Sequence, residues 1–369
     1  MYDDVDDTSP DPYDDGPPAE IGVVRLYLDF GRDFGRVQPV LRRWYDEVVD
    51  LVLPELGPGV RARKHGRVVD EAPPGGGSTT RRVGCWGDAL TASFCQISWG
   101  WSSSRRRSSL DLYVFRFASP DHVMLEAAVT FEDQRGRLAE VAPQLVEFLR
   151  RVADSTDPAY GELALDGGAT TGDTLLDMGL YRVNSDSAGA SRRFLRGYDW
   201  VTVCPRELVG RLGGPDALAA TGAFAEVVPL AAGGVLLRAG DAREPYPPAS
   251  VQAVFRALAP VLPPGKPRRL PGYDLSRLVF ADPTERGPVD PGPGAAEPSI
   301  GGAQARLVSD VAVEAVRNGW LTTEPLQPEH PGMAVGLLGG HARVGLTEEG
   351  HRHAEHLAVR LAQGAELEA

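Results

Sequence analysis

The sequence predicts an α+β protein in which a mixed, mainly antiparallel sheet packs with helices. Two periodicities point to this class. In some stretches apolar residues alternate with polar ones, which is typical of strands, and in others they recur every three or four residues, which is typical of amphipathic helices. The length of 369 residues allows one large or two moderate domains.

In the first half of the chain the two patterns follow each other closely. They predict a strand at 21–30, a helix at 37–52, strands at 95–101, 110–117 and 123–131, and a helix at 138–152. The strand at 110–117 is apolar on both faces, which predicts a central position in the sheet. Residues 61–82 show neither pattern, and we expect them to form a loop.

Shorter elements make up the second half. They are a strand at 198–204, a helix after Pro205 that ends at Gly213-Gly214, a short helix at 215–220, a hairpin of 224–230 with 235–239, and a helix at 251–262. The halves, residues 21–155 and 156–282, together form the predicted α+β domain. No residue-level repeat relates them.

Both ends of the chain differ from this domain in composition. Residues 1–20 carry eight acids and no base, so we expect a disordered acidic tail. Residues 283–302 are rich in proline and glycine, which predicts a linker. Residues 303–369 carry helical patterns, and the phrase VGLTEEGHRHAEHL resembles the end of a winged-helix domain. We therefore expect a small helical, winged-helix-like appendage.

Composition also limits the location. No apolar run approaches the ~20 residues that a membrane-spanning helix needs, and the acidic N-terminus lacks the pattern of a signal peptide. The three cysteines share no CxxC spacing, which suits a reducing compartment. We expect a cytoplasmic protein without membrane attachment.

Motifs typical of enzymes and cofactor sites are weak. No GxSxG occurs, and residues 167–172 fit neither a dinucleotide fingerprint nor a phosphate-binding loop. His353 and His356 are near enough on a helix to share a metal, but no third ligand accompanies them. Asp173 and Asp177 could serve as an acid–base pair, although like charges on an exposed helix face explain them better. We expect no enzyme activity, cofactor or metal.

Nucleic-acid binding is the alternative class. Basic residues near 61–82 and at 105–107 accompany Trp99 and Trp101, and such a mixture suits single strands. The winged-helix-like segment would suit a nucleic-acid-associated regulator. However, residues 303–369 hold five arginines against nine acids, and the whole chain has a net charge of −13. DNA binding depends on neutralising phosphates, so this balance disfavours a DNA reader.

A set of short motifs lies in order between Arg196 and Gly265. They are Tyr198 with Trp200, Leu208–Gly214, Gly222–Phe224, Gly233–Ala239 and Ala259–Pro264. In these motifs the chain resembles a bacterial family of immunity proteins associated with type VI secretion effectors, most strongly over residues 196–265. The resemblance implies a protein of interbacterial competition that neutralises a cognate toxin, often a nuclease, by binding it.

Such a protein needs a rigid surface of complementary charge and no reactive side chain. An acidic protein suits a basic nuclease, because opposite charges steer the encounter. Tryptophan and tyrosine frequently anchor interfaces. The candidate partner-binding residues are Trp99, Trp101, Tyr198, Asp199 and Trp200. Aromatic residues on alternating strands are commonly core residues, and that interpretation remains open at this point.

Overall fold

The computed structural model describes residues 19–57, 60–62, 66–71, 78–103, 107–132, 134–165, 172–240, 247–269, 275–285, 321–325, 334–337 and 340–346. These residues divide into two compact units. The first contains the described residues up to Arg269 together with 275–285, and the second contains the strands between 321 and 346. The predicted α+β class is confirmed, since the first unit joins an antiparallel sheet to helices.

Eleven strands form the sheet of the first unit within the described residues. They are β1 (Glu20–Leu28), β2 (Arg61–Ala62), β3 (Gly66–Asp70), β4 (Thr79–Val83), β5 (Phe94–Ser103), β6 (Ser108–Arg116), β7 (Val123–Phe131), β8 (Tyr160–Leu165), β9 (Val201–Cys204), β10 (Glu226–Pro229) and β11 (Val235–Arg238). Their order across the sheet is β10, β11, β9, β8, β1, β7, β6, β5, β3, β4, with β2 also beside β5.

The helices of this unit are α1 (Phe34–Glu47), α2 (Trp86–Ala89), α3 (Arg137–Asp154), α4 (Leu175–Gly179), α5 (Asn184–Gly189), α6 (Arg206–Arg211), α7 (Pro215–Ala220) and α8 (Pro248–Leu258). A π-helical turn, Val48–Val52, continues α1. The second unit contains β12 (Leu321–Pro325), β13 (Ala334–Leu337) and β14 (Gly340–Leu346), with β14 between the other two.

One face of the large sheet is apolar and packs against α1 and α3. Alternate residues of the central strands point to this face, and they join the helices in a single buried cluster. Trp44 of α1 meets Phe148 of α3 with ring centroids 4.6 Å apart. Gly22 of β1 lies so close to α3 that a Cβ there would be 2.6 Å from Cδ1 of Leu138. Burial of each large apolar side chain stabilises the fold by roughly 1.5–3 kcal/mol.

The opposite face is polar where β7, β1 and β8 lie side by side. Arg25 of β1 stands directly opposite Glu126 of β7 and Glu162 of β8. The next residue on the same face of β1, Tyr27, stands opposite Tyr160. Contacts from residues 172–200 close over these side chains, so this charged face is buried as well.

The predicted order of strands and helices agrees well with the structure in its main elements. β5, β6 and β7 form an antiparallel meander with β6 in the middle, which confirms its central position. The hairpin of β10 and β11 and the short helix α7 are also present.

The loop expected at 61–82 is wrong, because β2, β3 and β4 lie in that range. β3 and β4 bury only a few apolar side chains and expose arginines, so their alternation is weak in the sequence. The strand β8 is a further element without a sequence prediction.

The ends of the chain give a mixed result. Composition places Glu20 in the acidic tail, but Glu20 begins β1, and its carboxylate accepts hydrogen bonds from the backbone N–H groups of Gly136 (2.6 Å) and Leu138 (2.9 Å) at the start of α3. The rest of the predicted tail, most of the linker and the two appendage helices lie outside the described residues. In the appendage the described residues form the three strands β12 to β14.

Candidate functional site

The polar face of the sheet is organised around Arg25. Its Nε donates a hydrogen bond to Glu126 at 2.7 Å, and its Nη1 donates one to Glu162 at 3.0 Å. Tyr160 donates its hydroxyl proton to the second oxygen of Glu162 at 2.8 Å. Burial alone would lower the pKa of Arg25, but the two carboxylates outweigh it and raise that pKa. Arg25 is therefore a permanently charged part of the framework.

A second buried ion pair lies within residues 172–200, the covering segment that closes over this face, and it packs against Tyr27 of the sheet. Arg196 donates from Nη2 to Oδ2 of Asp177 at 2.9 Å, and from the same group to Oδ1 of Asn184 at 2.8 Å. Its guanidinium lies 4.1 Å from the ring centroid of Tyr27. Both members of the pair are fully buried. The pair thus connects α4, α5 and β1.

The interpretation of Asp177 as part of an exposed helix face is wrong. Asp177 is fully buried, and Arg196, Arg182 and Ser187 all bind its carboxylate. Thr174 starts α4 by accepting a hydrogen bond from the N–H of Asp177 at 3.0 Å. A carboxylate held in this way by two arginines supports the structure.

Two of the predicted partner-binding residues, Tyr198 and Asp199, lie beside this network, whereas the side chain of a third, Trp200, packs in the apolar core. The hydroxyl oxygen of Tyr198 accepts a hydrogen bond from the N–H of Val279 at 2.9 Å. Oδ1 of Asp199 accepts one from the N–H of Trp200 at 2.7 Å and another from Arg277 at 3.3 Å. Burial raises the pKa of Asp199 to about 6, although Arg277 partly opposes the shift.

A small cavity of about 10 Å³ lies beside Asp199, which is room for about one water molecule. Side chains from the sheet and from its covering segments line it, including Glu162, Thr174, Tyr198, Asp199 and Arg277. This volume is far below that of a pocket for a small-molecule ligand, which is typically about 300–1,000 Å³. The cavity can therefore hold a water molecule beside the buried charges, but it does not have room for a substrate.

The other two predicted residues, Trp99 and Trp101, belong to the apolar core. With Tyr45 and Trp86 they form an aromatic cluster between β5, α1 and α2, in which neighbouring ring centroids are 5.1 to 6.4 Å apart. All five predicted partner-binding residues are buried in the structure. They shape the scaffold, and they do not form an exposed patch that a partner could contact.

In contrast to these buried residues, a group of exposed side chains lies where α4 ends. The N–H of Arg182 donates to the carbonyl of Asp177 at 2.9 Å, and the N–H of Tyr181 donates to that of Met178 at 3.0 Å. This pair of bonds defines a Schellman motif, in which the residue after the helix cap adopts a left-handed conformation and is usually glycine. Here that residue is Tyr181, with φ of 53°.

Tyr181 and Val183 are the large apolar side chains that stand exposed in the part of the chain that the structure describes, at 63% and 62%. Arg182 between them turns inward to Asp177 at 3.2 Å, and this contact directs its two neighbours outward. The guanidinium of Arg268 lies 5.4 Å from the ring centroid of Tyr181. We call Tyr181, Val183 and Arg268 the Tyr181 surface.

Residues 265–268 support this surface from the side. The N–H of Arg268 donates to the carbonyl of Gly179 at 2.8 Å. A Cβ on Gly179 would lie 2.9 Å from Cβ of Pro267, so the two segments are in close contact. The Tyr181 surface is therefore fixed by the buried Asp177 pair below and by this neighbouring segment.

The sequence prediction missed the Tyr181 surface. The pattern Thr174-x-x-Asp177 marks the beginning of α4, but no glycine marks its end at position 181. The close approach of Arg268 depends on residues nearly ninety positions later in the chain. A sequence pattern alone does not reveal either feature.

Two further observations concern the described residues. They contain no cluster of three or more His, Cys, Asp or Glu side chains that could hold a metal ion. His353 and His356 lie outside them. In the same part of the chain, no helix has the length and apolar character needed to cross a membrane.

In its described residues, the protein is an α+β protein with a buried ionic network and the exposed Tyr181 surface. No protein-family model matches the sequence, and no curated protein matches it. Among solved structures, the chain is similar to a T6SS protein of Pseudomonas aeruginosa, with 17% identity and a TM-score of 0.44 over 68% of this chain and 76% of that one.

Proposed function

We propose that this protein is an immunity protein, which binds a cognate bacterial toxin in the cytoplasm and neutralises it by occupying its surface. The proposal excludes a chemical role for the protein itself. Its partner is a toxin of type VI secretion, such as a nuclease. The order of motifs between Arg196 and Gly265, which resembles an immunity family, gives the proposal its specific form.

The observation that carries the proposal is the exposed Tyr181 surface. Tyr181 and Val183 both expose apolar area to solvent, and Tyr181 does so in a left-handed backbone conformation that folding alone does not favour. Tyrosine is among the residues that dominate binding energy in protein interfaces. A preformed surface also loses little conformational entropy on binding. Both properties suit a protein that acts by association.

The buried ion pairs support the same function. The Arg25 pairs join β1 to β7 and β8, and the Arg196 pair joins two parts of the covering segment 172–200; all of them are short and almost fully enclosed. Tyr27 of β1 connects the two, because it lies against Arg196 and donates its hydroxyl proton to the carbonyl of Gly172. In each ion pair an arginine meets an opposite charge, which stabilises one arrangement of the framework. A toxin would meet the same rigid surface at every encounter.

The negative charge of the protein is distributed unevenly along the chain. Residues 1–20 hold eight acids and no base, and residues 303–369 hold five arginines and nine acids, which leaves a net charge of −1 of the total −13 for residues 21–302. This central part of the chain, which contains the α+β domain and the predicted linker, is almost neutral. Long-range steering of a basic toxin would therefore come from the terminal segments, and the central part would supply shape and local contacts.

Co-expression tests the proposal. The full-length protein is expressed in a sensitive bacterium together with each product of the genes that flank its own, and growth is scored against an empty vector. We expect rescue from one toxic product and a stable complex with it on size-exclusion chromatography. The variant Arg206→Glu, altered at an exposed site on α6, serves as a control that should rescue equally well.

A titration separates binding from enzymatic inactivation. Purified protein is added in steps to a fixed amount of the toxin, and the remaining toxin activity is measured. Neutralisation by occupancy reaches its end point at a fixed molar ratio. If a small fraction of an equivalent silences the toxin over time, the protein is an enzyme and the proposal fails. It also fails if no flanking product is neutralised.

A further inference from the structure

We infer that Tyr181 is the anchor of the interface and that the toxin receives it in an apolar socket bordered by carboxylates. This inference rests on the proposed function and adds the location of the contact and the chemistry of the partner. It can fail while the proposed function stands, because an immunity protein could bind its toxin through another surface.

The backbone at position 181 is the first argument. The left-handed conformation costs a non-glycine residue roughly 1–2 kcal/mol, since Cβ approaches the following carbonyl oxygen. Asparagine or glycine would fit the same Schellman motif with less strain. The tyrosine ring does not recover this cost by burial, because 63% of the residue is exposed. A strained residue with an exposed aromatic side chain indicates a role in binding.

Charge complementarity is the second argument. Within residues 179–189 and 264–269 the exposed charged residues are Lys266, Arg268 and Arg269 against the single acid Asp186. Lys266 is one of only two lysines in the chain. The surface around Tyr181 is therefore locally basic in a protein that is acidic overall. Carboxylates on the partner would complement it, and arginine binds a carboxylate with good geometry.

The same mixture of aromatic and basic residues can bind single-stranded nucleic acid, but two observations favour a protein. Val183 adds an exposed apolar side chain beside the ring, which suits a socket rather than a phosphate backbone. One side of the Tyr181 ring is approached by Arg268, which limits base stacking there.

Binding measurements on four variants test the inference. The probes are the toxin that the full-length protein neutralises, in an inactive form, and a twenty-nucleotide thymidine strand. The variants are Tyr181→Asn, Tyr181→Phe, Arg268→Glu and the control Arg206→Glu. Calorimetry gives the affinities at low and high salt, and thermal unfolding shows that each variant is folded. Asparagine tolerates the left-handed backbone, so Tyr181→Asn should unfold at or above the wild-type temperature.

We expect Tyr181→Asn to weaken toxin binding by at least about 30-fold, in the range of an interface anchor, while Tyr181→Phe retains most of the affinity. Arg268→Glu should weaken it by about 10-fold or more at low salt and by less at high salt, because salt screens repulsion between exposed charges. Arg206→Glu should bind as the wild type does.

Wild-type affinity in a folded Tyr181→Asn variant would overturn the inference and leave the proposed function intact. Stronger toxin binding by Arg268→Glu would overturn the assignment of carboxylates to the partner. If Tyr181→Asn loses affinity for the thymidine strand and keeps affinity for the toxin, the surface binds nucleic acid and the inference is wrong. Absence of toxin binding by the wild-type protein would instead reject the proposed function.

Discussion

Removal of the Asp177 carboxylate is the most direct test of the buried network. In the variant Asp177→Ala, the guanidinium of Arg196 stays fully enclosed and loses its counter-charge. It keeps uncharged acceptors such as Asn184, at 2.8 Å, but these do not balance a full positive charge. Arg182 also loses a partner at 3.2 Å. The variant therefore places an uncompensated charge in the protein interior.

The size of the effect follows from the burial of both groups. Breaking a buried ion pair by removing one partner typically costs about 3–5 kcal/mol, whereas an exposed pair contributes about 0–1 kcal/mol. Because both members of the Arg196 pair are fully buried, we expect Asp177→Ala to lower the free energy of unfolding by about 3–5 kcal/mol. A typical domain has a total stability of roughly 5–15 kcal/mol, so the loss would be a large part of it.

Urea unfolding followed by tryptophan fluorescence measures this loss as a lower midpoint. Glu140→Gln, which removes an exposed pair with Arg137 on α3, is the matched control and should cost less than about 1 kcal/mol. The double variant Asp177→Ala with Arg196→Met should be more stable than Asp177→Ala alone, since it removes the unpaired charge. A cost below about 1 kcal/mol for Asp177→Ala would refute the assignment of this pair as a structural element.

Other substitutions test separate parts of the structure. The pKa of Asp199 is raised from 3.8 to about 6, so the folded state holds a proton between these values that the unfolded chain releases. Stability should thus fall by about 3 kcal/mol as the pH rises through that window, and Asp199→Asn should flatten this slope in urea unfolding at pH 4 to 7. Gly66→Ala should lower stability by about 1–3 kcal/mol in the same assay, because its Cβ would lie 2.2 Å from the ring of Trp99; equal stability would contradict that packing. Trp44→Ala should cost about 3–5 kcal/mol through the cavity it leaves against Phe148, again measured by urea unfolding.

The sequence predicts the apolar face of the sheet well, because each strand there carries its own signal. Trp99 and Trp101 alternate with small or polar residues, and this local pattern is sufficient to place them on one face of β5. The spacing of Trp44 and its neighbours likewise predicts the buried side of α1. In these elements the periodicity and the burial have the same physical cause.

The polar face could not be predicted in this way, because its pairs join distant parts of the chain. Arg25 meets Glu126 and Glu162, which are 101 and 137 residues later in the sequence. A lone arginine within an apolar strand does not identify its partners. The prediction of a partner surface at Tyr198, Asp199 and Trp200 relied on residue type, whereas their hydrogen bonds and burial depend on segments such as Val279.

The position of β1 has a consequence for how the protein is made. Among the described strands of the sheet, β1 is synthesised first, but its two neighbours are β7 and β8, which end at Phe131 and Leu165. The middle of the sheet cannot close before Leu165 has been synthesised. Until then, the apolar side chains of β1 have no permanent partners, and they need protection from association with other chains.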